Sequence, residues 1–483
     1  MKTKFILLYL VVQYTFLTGI SQNSFEFIFQ DTLATPCYST FQDTEGYFIS
    51  MGASSAFLPD YKVDGMILKF KDPENIIVRY YSKNDSSIIL QFGFQMANGN
   101  YFVVGGFDDN LDWERKYWCC MQLDSELNPI FFNSYGIPSI YNEIFITDLC
   151  LSTDSSVIVY GVLDDADYGE IDHLYIAKIS LDGEMMDTIV NTQHQADYFG
   201  EILEKPDNSG YYAIGTFGYV SLIELDSDLN ITGLVPMNAN YSYHGSIGAR
   251  LLSNGNFIIG SLANQEVPGA FYDLHMWISD TDLVPIHDTV FFDEGKNWLP
   301  AFSGLDFIDE NNIWVVTYPQ MQSYPTAEGV GRIYLFDSQL NVKGAKYFGG
   351  DTARYLYSIK ALEDGGCIIT GVQDDEDSNG YTNAYFKKVM AIDIISYAEE
   401  TADPNDRDVL VYPVPFENEL RIETYRIGLS LSLFSLDGKR VISDSKLSIP
   451  HTRIETSHLT QGNYLYHISA NGKSIQSGQI IKK

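Results

Sequence analysis

The sequence predicts an all-β protein: a seven-bladed β-propeller followed by a small C-terminal β-sandwich. Three observations carry this. A turn-and-strand pattern recurs seven times between residues 46 and 371. Aromatic residues make up 14% of the chain, with 34 Tyr and 29 Phe, a bias towards strands. No sustained amphipathic run of about 10–12 residues with helical period competes with them.

The repeat is a polar turn with Gly, Asn or Asp, a short apolar strand, then a small residue. It reads Gly46-YFISM-Gly52, Gly99-NYFVV-Gly105, Ser155-SVIVY-Gly161, Ser209-GYYAI-Gly215, Gly255-NFIIG-Ser261, Asn311-NIWVV-Thr317 and Gly365-GCIIT-Gly371. The closing positions lie 53, 56, 54, 46, 56 and 54 residues apart. Each copy has a strand before the turn, as at residues 89–96. After a variable loop come a third strand, a tight turn of the Asp-Ser-x-Leu-Asn or Leu-Asp-Gly kind, and a fourth strand. Four antiparallel strands per unit at this period is the signature of a propeller blade. Runs such as Phe102-Val103-Val104 do not alternate, which fits central strands covered on both faces.

The first unit begins near Cys37 and the seventh has its third strand near Phe386–Ile392, leaving residues 24–30 as an unassigned alternating strand. We expect that strand to complete the seventh blade and clasp the ring; a local strand at residues 393–397 is the alternative.

The formal net charge is -34, unevenly distributed. Residues 405–483 hold 10 basic and 8 acidic side chains, a balance of +2, whereas residues 5–404 hold 18 and 56, a balance of -38. A propeller this acidic repels nucleic acid and anionic lipid and suits cations or basic partners. Lys2, Lys4, the apolar run Phe5–Val12 and small Gly19 and Ser21 read as a signal peptide over residues 1–21. No stretch approaches the ~20 apolar residues of a membrane span. The expected organisation is signal peptide 1–21, propeller 22–395, linker 396–408 and sandwich 409–483. The five cysteines, Cys37, Cys119, Cys120, Cys150 and Cys367, are too sparse for a disulfide framework and read as buried thiols. Adjacent Cys119 and Cys120 should face opposite sides of a strand.

The last 75 or so residues carry Tyr412, Pro413 and Pro415, then Asp437, Gly438 and Lys439, then Leu459, Gly462 and Tyr464, and finally Lys482 and Lys483. Short strands between Asp-Gly and Asn-Gly turns read as a sandwich. The four ordered elements resemble the C-terminal sorting domain of type IX secretion cargo in Gram-negative bacteria, with Val414 where the family has Asn. The resemblance implies a partner, the type IX secretion machinery, and export through the periplasm to a secreted or surface location. It implies nothing about the propeller's activity, because such domains ride on many unrelated cargoes.

Acidic pairs recur at one repeat position: Asp108 and Asp109, Asp164 and Asp165, Asp374 and Asp375, each pair three and four residues past a closing Gly. Placed in second-to-third-strand loops on one face of the ring, they are candidate calcium ligands. Solvated loop charge is the competing reading, and no Asp-x-Asp-x-Asp-Gly loop is present. Aromatics also fall in loops, at Trp113, Tyr168, Tyr219, Tyr241, Tyr243, Trp298, Tyr318, Tyr324 and Tyr381. They are ligand-stacking rings or blade packing. There is no Gly-x-Ser-x-Gly elbow, His-Glu-x-x-His motif or phosphate-binding Gly-Lys-Ser/Thr loop. Binding of an extracellular glycan, peptide or protein is therefore the expected role. A glycoside hydrolase or lyase is the alternative, since a carboxylate pair is recognisable only in three dimensions.

Overall fold

The computed structural model describes residues 24–30, 34–55, 62–83, 86–108, 117–165, 173–195, 200–216, 220–236, 242–243, 247–264, 272–291, 298–300, 302–318, 330–349, 354–374, 382–395, 409–412, 416, 418–423, 429–435, 438–447, 451–470 and 473–483. Seven antiparallel sheets of four strands follow one another along the chain. Their innermost strands are Cys37–Gln42, Ser87–Gln95, Tyr141–Leu151, Gly200–Glu204, Gly248–Leu251, Leu305–Asp306 and Arg354–Ala361. In the fifth sheet Ser242–Tyr243 shares that position, pairing with the same neighbour. The innermost strands lie side by side in cyclic order, the seventh against the first. This is a closed seven-bladed propeller.

The clasp is as expected. Phe25–Phe29 pairs antiparallel with Thr382–Val389, from Phe25 opposite Lys388 to Phe29 opposite Ala384, and forms the outermost strand of blade 7. The local alternative fails because Ile392–Ile395 turns helical, burying Ile394 between blades 6 and 7.

Each interface between blades holds its own core. Phe102, Val104 and Trp118 of blade 2 meet Ile144 and Val159 of blade 3. Tyr101, Val103 and Met121 turn the other way, onto Ile49 and Ile67 of blade 1. Both faces of a central strand are thus buried, so its sequence cannot alternate. Cys119 and Cys120 divide the same way, one in each core. All five thiols are free; burial pushes Cys120 up to about 11 and Cys37 and Cys150 up to about 12.

The repeated closing glycine has a steric cause. In blades 1, 2, 3 and 7 the innermost strand bulges, at Cys37/Ser39, Leu90/Phe92, Ile146/Asp148 and Leu356/Ser358. The residues opposite are Gly52, Gly105, Gly161 and Gly371. A Cβ on Gly105 would stand 1.8 Å from the Ile89 carbonyl oxygen, so only glycine admits the bulge.

The Asp-Ser-x-Leu-Asn turns do more than reverse the chain. Asp124, Asp226 and Asp337 accept backbone N–H groups two and four residues on, and Asn128, Asn230 and Asn341 donate back to them. This holds Leu127, Leu229 and Leu340 at φ of 66°, 60° and 61°, and each leucine plugs the core shared with the preceding blade.

The C-terminal region forms two sheets, one of three strands and one of four, around a shared core of Phe416, Leu420, Leu431, Tyr464, Ile468 and Ile480. The sandwich expectation holds.

Candidate functional site

At the centre of the ring every blade-to-blade junction is crossed by a polar contact from an innermost strand or the strand beside it. Ser39 Oγ donates to the Gln91 carbonyl, and Gln91 Nε2 donates to the Ile146 carbonyl at 3.2 Å. The Ile202 N–H donates to Asp148 Oδ2 at 2.8 Å. Arg250 Nη1 meets Glu201 Oε2 at 2.6 Å and Nε meets Asp306 Oδ1 at 3.1 Å. Asp306 Oδ2 accepts the Ala361 N–H at 2.9 Å and the Lys360 ammonium at 3.1 Å. Thr370 Oγ1 donates to Thr40 Oγ1 at 2.7 Å and closes the circle.

Three carboxyls and two cations share the charged half of this girdle. Burial drives Glu201 well above the ordinary carboxyl range, and Asp148 upward too, and the two carboxyls hydrogen-bond to each other. Glu201 Oε1 is buried with no N–H or hydroxyl partner among the described residues, and the two carboxyls hold a proton more readily as a pair than an ordinary carboxyl does. Asp306 is as deeply buried, but Lys360 and Arg250 outweigh that cost and hold it below its usual range.

Sequence reasoning singled out none of these residues. The signal was present: Asp148, Glu201, Arg250, Asp306 and Lys360 are 53, 49, 56 and 54 residues apart, in step with the repeat.

Outside the girdle, lysines on third strands clamp the next blade. Lys69 Nζ donates to Tyr101 Oη and to the Ser125 carbonyl, both at 2.9 Å. Lys178 Nζ contacts Asp154 at 2.9 Å and the Ser227 carbonyl at 3.0 Å.

The described members of the acidic pairs lie at the ends of second strands. Asp108 ends Tyr101–Asp108, opposite Ser87, and is buried. Asp164 and Asp165 end Ser156–Asp165, opposite Glu143 and Tyr141. Asp374 ends Cys367–Asp374, opposite Thr382. Asp109 and Asp375 lie outside the described residues. Among the described residues no group of three or more His, Cys, Asp or Glu could hold a metal ion. Of the loop aromatics, Trp298 and Tyr318 pair with each other through their backbones. Only the backbone of Tyr243 is described, and Trp113, Tyr168, Tyr219, Tyr241, Tyr324 and Tyr381 lie outside.

In the sandwich, Tyr412 ends the strand Leu410–Tyr412 opposite Arg421; Pro413, Pro415 and Asp437 lie outside the described residues. Gly438, at φ 82°, and Lys439 close the turn through bonds to Ser435. Leu459 is buried, and Gly462 at φ 150° leads to Tyr464, whose hydroxyl donates to the Thr460 carbonyl at 2.6 Å, a tyrosine corner. The basic end is built into the fold. Lys482 is buried with its ammonium 5.7 Å from the Phe416 ring, and the Lys483 N–H donates to the Phe416 carbonyl at 2.9 Å.

Residues 410–483 match the family described as the secretion system C-terminal sorting domain. The sorting tail marks the protein for export, to be secreted or held at the cell surface. No helix among the described residues is long and apolar enough to cross a membrane. Comparison with curated proteins finds no match. Among solved structures, polysaccharide lyase Uly1 is similar over 79% of this chain and 95% of its own, at 9% identity and TM-score 0.45. The GH93 α-L-arabinofuranosidase of Fusarium graminearum, with arabinobiose, is similar over 77% and 98%, at 11% identity and TM-score 0.43. A protein of unknown function from Dyadobacter fermentans covers 76% and 98%, at 7% identity and TM-score 0.45. Likeness at this level carries no argument about activity.

Proposed function

We propose that this type IX secretion cargo uses its propeller as a binding module for an extracellular glycan, peptide or protein. The observation that supports the reading is the state of the ring's centre. Its convergent carboxyls, Asp148, Glu201 and Asp306, are committed to one another, to Arg250 and Lys360 and to backbone N–H groups, and so join the blades. A general acid or nucleophile must instead reach a substrate. The test is a screen of the purified protein against glycans and matrix proteins. The expected result is saturable binding without turnover, with affinity falling as salt rises where charge contributes.

The Asp148–Glu201 pair, two buried carboxyls side by side with raised proton affinity, is the feature that favours the enzyme alternative. Turnover of a polysaccharide or peptide that Asp148→Asn abolishes would establish it. Calcium at the acidic strand ends remains our expectation from their repeat position. Saturating calcium, at ~100 times its dissociation constant, would add roughly 2.7 kcal/mol of stability. Asp108→Asn combined with Asp164→Asn should reduce the resulting rise in melting temperature. Equal melting curves in calcium and chelator would leave solvated charge.

A further inference from the structure

The outermost strand of blade 1 lacks the guard that the matching strands of blades 2 to 6 carry. In those blades the fourth strand begins with a bulge, at Gln122/Leu123, Lys178/Ile179, Glu224/Leu225, Ile278/Ser279 and Leu335/Phe336 of the strand beside it. Each bulge follows a turn that holds one residue left-handed: Leu127, Gly183, Leu229, Leu283 or Leu340. A bulge twists a sheet edge and blunts it against further pairing. Blade 1 has no left-handed residue in this turn, where Asp72 accepts the N–H groups of Glu74 and Asn75 at 2.9 and 3.1 Å. Its outer strand, Ile76–Tyr81, pairs in unbroken register, from Ile76 opposite Phe70 to Tyr81 opposite Gly65. No strand among the described residues pairs with its other side. The clasp of blade 7 is unbroken too, but its single charged side chain, Glu26, is already paired with Lys387.

Side chains along this edge are sorted by face. Ile76 and Val78 turn to the clasp and pack with Phe25, Phe27 and Phe70, and Tyr80 shares their parity. Tyr81 packs into the core shared with blade 2, so Ile77 and Arg79 lie on that side. Lys83, just past the strand, stands 4.2 Å from the Phe132 ring of blade 2. Ile77 and Tyr80 are each 43% exposed, and Arg79 and Lys83 are exposed as well. Residues 75–83 hold these two basic side chains and no acid, against the balance of -38 over residues 5–404.

We propose, building on the binding-module reading, that the edge of blade 1 takes up an extended segment of a partner protein as a fifth strand, and that this segment alternates acidic and apolar residues. The backbone groups on the open side of Ile76–Tyr81 supply the ladder. The apolar residues of the segment lie beside Ile76, Val78 and Tyr80, and its carboxylates beside Arg79 and towards Lys83. A positive charge on an edge strand ordinarily discourages pairing. A partner with carboxylates at the facing positions turns that guard into selection. The same edge of a second copy does not fit, because it sets basic side chains against basic ones.

The test follows fluorescence anisotropy of labelled peptides on the full protein. The probes are a short capped peptide alternating Val and Glu, its counterpart alternating Val and Lys, the Val/Glu peptide with a central proline, and hexaglutamate. The Val/Glu peptide should bind, and the other three about tenfold more weakly, the scale of a reversed charge pair or a broken ladder. Arg79→Glu, at an exposed position, should reverse the order of the Glu and Lys peptides, and Arg79→Gln should erase it. An order that Arg79→Glu leaves intact overturns the site. Equal binding of the proline peptide or of hexaglutamate means charge attraction without a ladder, and overturns it as well. So does a dimer in sedimentation that Arg79→Glu abolishes, because a second copy then fills the edge. If no peptide binds but the wider screen finds a ligand, the edge proposal falls and the binding module stands. Failure of the peptides and of the screen removes both.

Discussion

Leu127, Leu229 and Leu340 sit in a backbone region that costs an L-residue roughly 1–2 kcal/mol. The turn tolerates this because burying a leucine returns about 1.5–3 kcal/mol and Asp–Asn bonding holds the backbone. Removing the side chain should expose that balance. Leu229→Ala should cost about 2–3 kcal/mol in chemical denaturation. Leu229→Gly should be at least as stable as the alanine variant, because glycine sheds the strain; a glycine variant clearly below alanine would refute the account. The sequence announced the turn through Asp and Asn. It could not announce that the leucine is core, because turn residues are ordinarily exposed. Glu201 makes a second prediction. Its proton affinity rises on folding, from an ordinary value of 4.5, as does that of Asp148. The folded state therefore binds more protons above that value, so stability drawn from the pair is full at low pH and lost as pH rises. Glu201→Gln keeps an acceptor for Arg250 and a donor for Asp148 but cannot titrate. Its melting temperature relative to the natural protein should climb as pH rises above the ordinary carboxyl range. The opposing contribution of Asp306 is common to both proteins, so a flat difference would refute the raised proton affinity of the pair.

Phe25–Phe29 shows how an element can be legible where its partner is not. Alternation marked it as a strand, and counting blades left the seventh one strand short. The pairing register and the helical turn at Ile392–Ile395 emerged only in three dimensions. The strand brings Phe25 and Phe27 onto Phe48 and Phe70 of blade 1, and Glu26 onto Lys387 and Tyr385. Deleting residues 24–30 should therefore lower the melting temperature by several degrees, on the scale of ~2–4 °C per kcal/mol. A synthetic peptide of the same residues should restore part of the loss. An unchanged melting curve would mean the ring closes without its clasp.

For the whole molecule, repeat spacing made the blade number readable, and tail motifs made the sorting domain readable. The polar girdle escaped notice because each member is an ordinary strand residue that gains meaning only when seven strands meet. The two domains also have separate cores, and this fixes an export prediction. Deleting residues 459–483 removes Leu459, Tyr464, Ile468 and Ile480 from the sandwich but nothing from the seven interfaces of the propeller. The truncated protein should accumulate in the periplasm with its propeller folded, as protease resistance would report. Its normal appearance outside the cell would dissociate the tail from transport.

The clasp also gives the molecule a sense of completion. Ser24 bonds to Asp393 across 369 residues, so one of the first strands synthesised waits for one of the last of its domain. Residues 410–483, which address the protein for delivery, follow directly behind. A chain interrupted anywhere before residue 382 has neither a strand to receive Phe25–Phe29 nor a destination. Wholeness and address are thus written in the same closing stretch, and an unfinished ring carries no label that would let it leave.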